Sequence, residues 1–257
     1  MPPDRDRRGV ATPMARHDAV GADSCRGQPE TTMFKSGIDQ DALIDMFAKS
    51  SAQQGEALRK AVSEATLKAL QGRELTVANI RNVLKSVTQA ASSGAAKNIM
   101  PAVDAEALLE KAFAGMDAAL LQAVQAQRAA LQQFVSQGVE VNNKQMKGAL
   151  ANLEKMEDVF FSTVGKAAES AGGALKGPWE QVLETMKVKG TDTGAQAKMS
   201  VESLMAQAQT ALREGRSAGL RSAQVMMDSY AALVSGVLIG MSEGLQSGKP
   251  AAKSRAK

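Results

Sequence analysis

An all-α fold is predicted by three observations. Apolar residues recur at helical spacing almost without interruption from Ser36 to Gln246. No segment alternates apolar and polar residues as a half-buried strand would. Aromatics make up only 3% of the chain, so the interior must be built from Ala, Leu, Val and Met. The expected arrangement is an elongated antiparallel helical bundle with a long C-terminal helix and disordered termini. Residues 1–35 read as a disordered polar leader, 36–247 as the helical domain and 248–257 as a basic disordered tail. With 257 residues, the chain is long enough to bury a real core.

The first segment places Leu43, Phe47, Leu58, Val62, Ala65 and Ala69 on one face, with Gly72 positioned to close it. Thr76 is the expected N-cap of the second, where Val77, Ile80, Leu84, Val87 and Ala91 keep one stripe. Ser92, Ser93 and Gly94 read as its end, because serine and glycine are poor residues for a helix interior. Pro101 and Asp104 open a third, with Leu109, Phe113, Met116, Leu120, Val124, Leu131 and Val135 facing inward. The stretch from Gly138 to Asn143 is the expected joint.

A fourth helix carries Met146, Leu150, Leu153, Met156, Phe160 and Val164 on one stripe, and Gly172, Gly173 and Gly177 read as its end. Pro178 restarts a short segment through Trp179, Val182, Leu183 and Met186, which Gly190 stops. Lys187 and Lys189 lie near its carbonyl end, where cations are favoured. Thr193 and Gln196 have the spacing of a capping box. The last helix then runs from Ala195 to about Gln246, about 75 Å if unbroken. Gly215 and Gly219 are the expected break points if it does not continue.

Composition excludes more than it assigns. The single histidine and single cysteine, His17 and Cys25, both fall in the leader, so the helical body has no imidazole and no thiol, which removes most ordinary enzyme chemistry. No catalytic residue, metal site or cofactor is expected. The net charge of +4 resides in the tail, on Lys249, Lys253, Arg255 and Lys257, and the body is formally neutral. A fold that tracks phosphates carries its charge on the body, so sequence-specific nucleic-acid binding is not expected. The tail cations are the only candidates for polyanion contact. The leader has no apolar stretch of the length an export signal needs, which points to the cytoplasm, and Met33 is a candidate translation start.

Gly236, Gly240, Gly244 and Gly248 fall at every fourth position beside an apolar run from Tyr230 to Met241. Glycine costs a helix about 1 kcal/mol relative to alanine, so such a row suggests close approach of another backbone or contact with a surface. The expected contact set is Gly236, Gly240 and Gly244 with Leu233, Val237 and Met241 beside them. The uncharged stretch between Asp228 and Glu243 extends about 21 Å as a helix. A bilayer core requires about 30 Å, so a transmembrane span is not expected. Within it, Gly240-Met241-Ser242-Glu243-Gly244 matches the nucleophile-elbow pattern but lacks the strand-to-helix turn and histidine base that the chemistry requires. Glu154 and Asp158 read as solvated acids on a polar helical face.

Three stretches carry a resemblance: Leu70-Gln71-Gly72-Arg73, Leu153-Glu154-Lys155-Met156-Glu157 and, above all, Gly190-Thr191-Asp192-Thr193-Gly194. Over residues 38 to 246 the chain resembles an uncharacterised family of proteobacterial helical proteins that brings no catalytic residues with it. More loosely, the Ala/Gln/Lys-rich helices and the Lys249-Pro250-Ala251-Ala252-Lys253 tail look like phasins, which coat polyhydroxyalkanoate granules. That resemblance implies a non-catalytic amphipathic protein at a granule or lipid surface. The alternative is a soluble cytoplasmic helical scaffold that self-associates or pairs with a protein partner. A homo-oligomer is expected in either case.

Overall fold

The computed structural model describes residues 38–49, 54–71, 75–98, 104–139, 144–214 and 229–246. The described residues form α1 (Gln40–Lys49), α2 (Gly55–Leu70), α3 (Val77–Ala96), α4 (Ala105–Ser136) and α5 (Lys144–Glu154). They continue through α6 (Met156–Ala171), a short 3-10 turn at Gly173–Leu175, α7 (Lys176–Lys189), α8 (Asp192–Arg213) and α9 (Tyr230–Gln246). No strand occurs among the described residues, so the fold is all-α, a helical bundle.

The bundle is organised around α4, which packs against α2, α3, α7, α8 and α9. One helix can serve so many neighbours because much of its buried surface is small: Ala112, Ala119, Ala123, Ala126 and Ala130 are all inside. Larger side chains fill the remaining space, and the Phe113 and Phe160 rings stack with centroids 4.5 Å apart. The inward stripe expected for this helix, from Leu109 to Val135, is buried throughout. Asp104 caps its start by accepting from the Glu106 amide at 3.0 Å. Gly138 ends it with φ +85°.

Two glycines set the spacing of the helices. A Cβ on Gly115 of α4 would lie 2.6 Å from the Arg59 carbonyl oxygen and 2.8 Å from Val62 Cβ, so α2 rests directly on α4 backbone. A Cβ on Gly94 of α3 would lie 2.6 Å from the Ile44 carbonyl oxygen and would also run into Phe47, so α1 rests on α3 in the same way. The amide of Gln40 reaches the Ser86 carbonyl at 3.3 Å, and that of Asn98 reaches the Phe47 carbonyl at 2.7 Å. α1 and α3 therefore run in the same sense. So do α2 and α4, since Glu56 meets Lys111 at the start of α2 and Leu75, beyond its end, meets Gln127. Like-directed pairs two apart along the chain are what alternating up-and-down connections produce.

The structure departs from the sequence reading at several helix ends. The first segment is two helices, because the face shared by Phe47 and Leu58 serves two partners: α1 packs on α3 and α2 on α4. Gly72 lies outside the described residues. Ser92, Ser93 and Gly94 do not end α3, which continues to Ala96. Ser92 Oγ donates to the Thr88 carbonyl at 2.8 Å and accepts from the buried Trp179 indole at 2.9 Å. The stripe from Met146 to Val164 is buried as expected but is divided at Lys155 into α5 and α6. Gly172 and Gly173 end α6 with φ +66° and +61°, whereas Gly177 lies inside α7. Gly190 ends α7 as expected, with φ +76°.

The expected capping box at Thr193 and Gln196 is not formed. The Gly194 amide donates to Thr191 Oγ1 at 2.9 Å, so the cap sits two residues earlier, and Gln196 turns to Ser200 at 3.4 Å. The helix expected from Ala195 to Gln246 is seen as α8 and α9, and Gly215 and Gly219 lie outside the described residues.

The glycine geometry makes a paired prediction. Gly115→Ala should lower the melting temperature by several degrees, because a backbone shift costing about 1–3 kcal/mol outweighs the gain of about 1 kcal/mol in helix propensity. Gly148→Ala on α5, where a Cβ would meet nothing within 4 Å, should raise it. Thermal unfolding followed by circular dichroism measures both, and a stable Gly115→Ala protein would refute the close approach.

Candidate functional site

α9 packs chiefly on α4 and buries one face. Val234, Leu238 and Ser242 are buried, while Leu233, Val237 and Met241 are partly buried and pack against the core. The other side carries Ala232, Gly236, Ile239 and Gly240, all exposed. A Cβ on Gly236 or Gly240 would meet nothing within 4 Å. The six expected contact residues therefore divide: Leu233, Val237 and Met241 flank the buried seam, whereas Gly236 and Gly240 face away from their own chain. The side chain environment of Gly244 lies outside the description, as do Gly248 and the tail cations Lys249, Lys253, Arg255 and Lys257.

No residue from Tyr230 to Ser242 is charged, which is unusual for a helix with an open side. Ser242 sits within α9 on its buried face, so the nucleophile-elbow match has no strand-to-helix turn. Tyr230 opens the helix, its ring 5.9 Å from that of Phe134. Burial pushes its phenol well above the ordinary value, so the hydroxyl stays protonated.

A second polar cluster forms at the start of α8, where two of the segments that carried the family resemblance meet. Glu157 on α6 accepts from the Thr191 amide at 3.3 Å and from the Thr191 hydroxyl at 3.0 Å. Asp117 on α4 accepts from the Asp192 amide at 3.1 Å and the Thr193 amide at 3.2 Å. The Thr193 hydroxyl donates to the Asp117 carbonyl at 3.0 Å. Two carboxylates from two other helices thus satisfy amides that the start of a helix leaves free, and both carry the charge that a helix N-terminus favours. A Cβ on Gly194 would collide with the Glu157 carboxylate, which explains a glycine in the first turn of a helix. Lys198 approaches Glu157 to 3.8 Å but is 76% exposed, so that pair adds little.

Asp117 and Glu157 escaped the sequence reading because each is one acid among many on a polar helical face. The signal that could have located them was the Gly190-Thr191-Asp192-Thr193-Gly194 joint, whose two threonines and flanking glycines imply backbone amides in need of acceptors. Glu154 and Asp158 are exposed, as expected of solvated acids. Among the described residues no group of three or more His, Cys, Asp or Glu could hold a metal ion, and no helix is long and apolar enough to cross a membrane. His17 and Cys25 lie outside the described residues.

A protein family described as "Family of unknown function (DUF6781)" matches residues 33–247. No curated protein and no solved structure matches the chain.

The α8 junction supplies a pH test. Desolvation raises the Asp117 carboxyl above its ordinary 3.8, against the opposing hydrogen bonds from Thr193 and Asp192. A carboxyl raised in the folded state binds its proton more tightly there than in the unfolded chain. Its contribution to stability is therefore greatest below the ordinary value and is lost as pH rises through the raised one. The stability of the wild type relative to Asp117→Asn should fall as pH rises from below the ordinary carboxyl value through the raised one, read from urea midpoints in a series of acidic to neutral buffers. A difference that grows with pH would mean that the amide donors outweigh desolvation.

Proposed function

The chain belongs to the DUF6781 family, and we propose that it is a non-catalytic helical protein that works by helix-mediated association, its outward α9 face pairing with a second copy of the chain. The observation that supports this reading is the open side of α9, uncharged from Ala232 to Gly240, where Gly236 and Gly240 have free space around them. Glycine contributes almost no hydrocarbon to bury, so a row of it suits a rigid helical partner that can come within backbone distance. Ile239, 38% exposed beside the row, supplies an apolar contact at its centre.

A second reading is phasin-like attachment of the same face to a hydrophobic surface, a polymer granule or lipid. The absence of charge from Tyr230 to Ser242 favours it, since an interfacial helix must not carry charge into the apolar phase. Against it stands the small amount of apolar side chain on offer. Among the described residues the exposed large hydrophobics are Met46, Val188, Met199, Met205 and Ile239, and only Ile239 belongs to this helix.

Light scattering on the purified chain across a concentration series tests the first reading. A dimer should form, and Gly240→Leu should weaken it at least about tenfold, a change of about 1.4 kcal/mol. Flotation with phosphatidylcholine vesicles and with polyhydroxybutyrate particles tests the second. A chain that remains monomeric but floats, and loses attachment on Ile239→Asp, would replace the first reading with the second. A monomer that neither pairs nor floats would refute both.

A further inference from the structure

The formal neutrality of the helical body hides a local excess of positive charge. α3 contains no acid, not even in its first turn, where the helix dipole favours one, and its only charged residues are Arg81 and Lys85. Spaced i and i+4, these two share one face of the helix, where like charges repel. α6 packs alongside α3 and brings Lys166 to the same groove. Among the described residues none of the three cations forms an ion pair. α2 shows the opposite arrangement, with Arg59 on Glu56 at 2.9 Å and Lys60 opposite Glu64 at 3.9 Å.

The groove between α3 and α6 has a volume of about 360 Å³ and no acid in its lining. That volume falls within the range of about 300–1,000 Å³ usual for small-molecule sites. Glu157, Asp158 and Glu169 line an adjoining groove that shares Lys166, and the Glu157 carboxylate already accepts from Thr191. Two neutral donors stand among the cations. Asn82 and Thr163 make no side-chain hydrogen bond among the described residues, so an amide N–H and a hydroxyl are open to a ligand. Ser162 and Ser170, by contrast, already donate to the Val159 and Lys166 carbonyls. Solvent reaches every group invoked: Arg81, Asn82, Lys85 and Lys166 are exposed and Thr163 is half-buried.

Three cations with two neutral donors and no acid suit an oxyanion that carries more than one negative charge. A lone carboxylate would answer only one of the three cations. A phosphate group can meet the paired N–H groups of a guanidinium and the point charges of two lysines at once. We propose that the α3–α6 groove binds a small molecule through its phosphate group, with Arg81, Lys85 and Lys166 facing the charge and Asn82 and Thr163 donating to its oxygens. No residue of α9 lines this groove, so the site is independent of the association reading.

The test uses the full chain labelled with nitrogen-15 and titrated with inorganic pyrophosphate, with acetate as the singly charged comparison. Pyrophosphate should cause saturable shifts in the backbone amides of residues 81–85 and 162–167, and acetate should bind more weakly. Arg81→Gln and Lys85→Gln should each lower pyrophosphate affinity about fivefold, the upper range for one exposed charge pair. Lys60→Gln removes an exposed cation from α2 and should leave the affinity unchanged. All three positions are on the surface, and circular dichroism checks that each variant folds. Phosphatidylcholine vesicles with and without phosphatidic acid identify the source of the phosphate. Attachment that requires phosphatidic acid and is lost in Arg81→Gln assigns the groove to a lipid headgroup, and pyrophosphate binding without attachment assigns it to a soluble molecule. No saturable shift at these amides, equal affinity for acetate, unchanged affinity in folded Arg81→Gln and Lys85→Gln proteins, or an equal loss in Lys60→Gln would each overturn the proposal.

Discussion

Close contact between helix backbones at Gly94 and Gly115 is the constraint on which the rest of the fold depends. A chain with so few aromatic residues cannot fill wide gaps between helices, so it must bring the helices together. Glycine at these two positions lets α1 settle on α3 and α2 on α4, and the alanines of α4 allow α7, α8 and α9 to crowd around the same axis. The large side chains that do exist then fall at the crossings. Trp179 is fully buried against α3 with its indole satisfied by Ser92, and Phe113 stacks on Phe160. Ser92 and Gly94 are thus consequences of one requirement: two helices must reach α3 within a few residues of each other, and no larger side chain leaves room.

The start of α8 shows the same economy in polar terms. A helix that begins inside a bundle must find acceptors for its first amides away from water. Thr191 supplies one from the local chain, and Asp117 and Glu157 supply the others from α4 and α6. The junction therefore joins three helices through groups that are individually weak at a surface and stronger here, where solvent competes less. Gly190, with its positive φ, turns the chain, and Gly194 leaves space for the Glu157 carboxylate.

The fold class and nearly all of the core were legible in the sequence, because burial imposes a period on apolar residues that other constraints do not disturb. Leu109 through Val135 and Met146 through Val164 lie inside as their spacing implies. Helix ends were less legible where one periodic face served two partners, as with Phe47 and Leu58, or where small residues marked packing and not termination, as with Ser92 and Gly94. Glycine also marks close approach within the chain at positions that the sequence reading took for a helix end or passed over. Among the described residues such approaches are at single glycines in α3 and α4, whereas Gly236 and Gly240 of α9 face away from their own chain. A row is conspicuous and a lone glycine is not, yet one Cβ is enough to hold two helices apart. Asp117 and Glu157 were not legible from their own surroundings, because their partners lie from 34 to 76 residues away.

α9 is where these physical themes converge. Its seam buries Val234 and Leu238, worth about 3–6 kcal/mol together, and its root carries an unpartnered hydroxyl that costs about 1–3 kcal/mol. Tyr230, Leu233, Val237 and Met241 pack against the core beside that seam, and the helix rests chiefly on α4. Its outward side, with Gly236 and Gly240, meets no other described part of the chain.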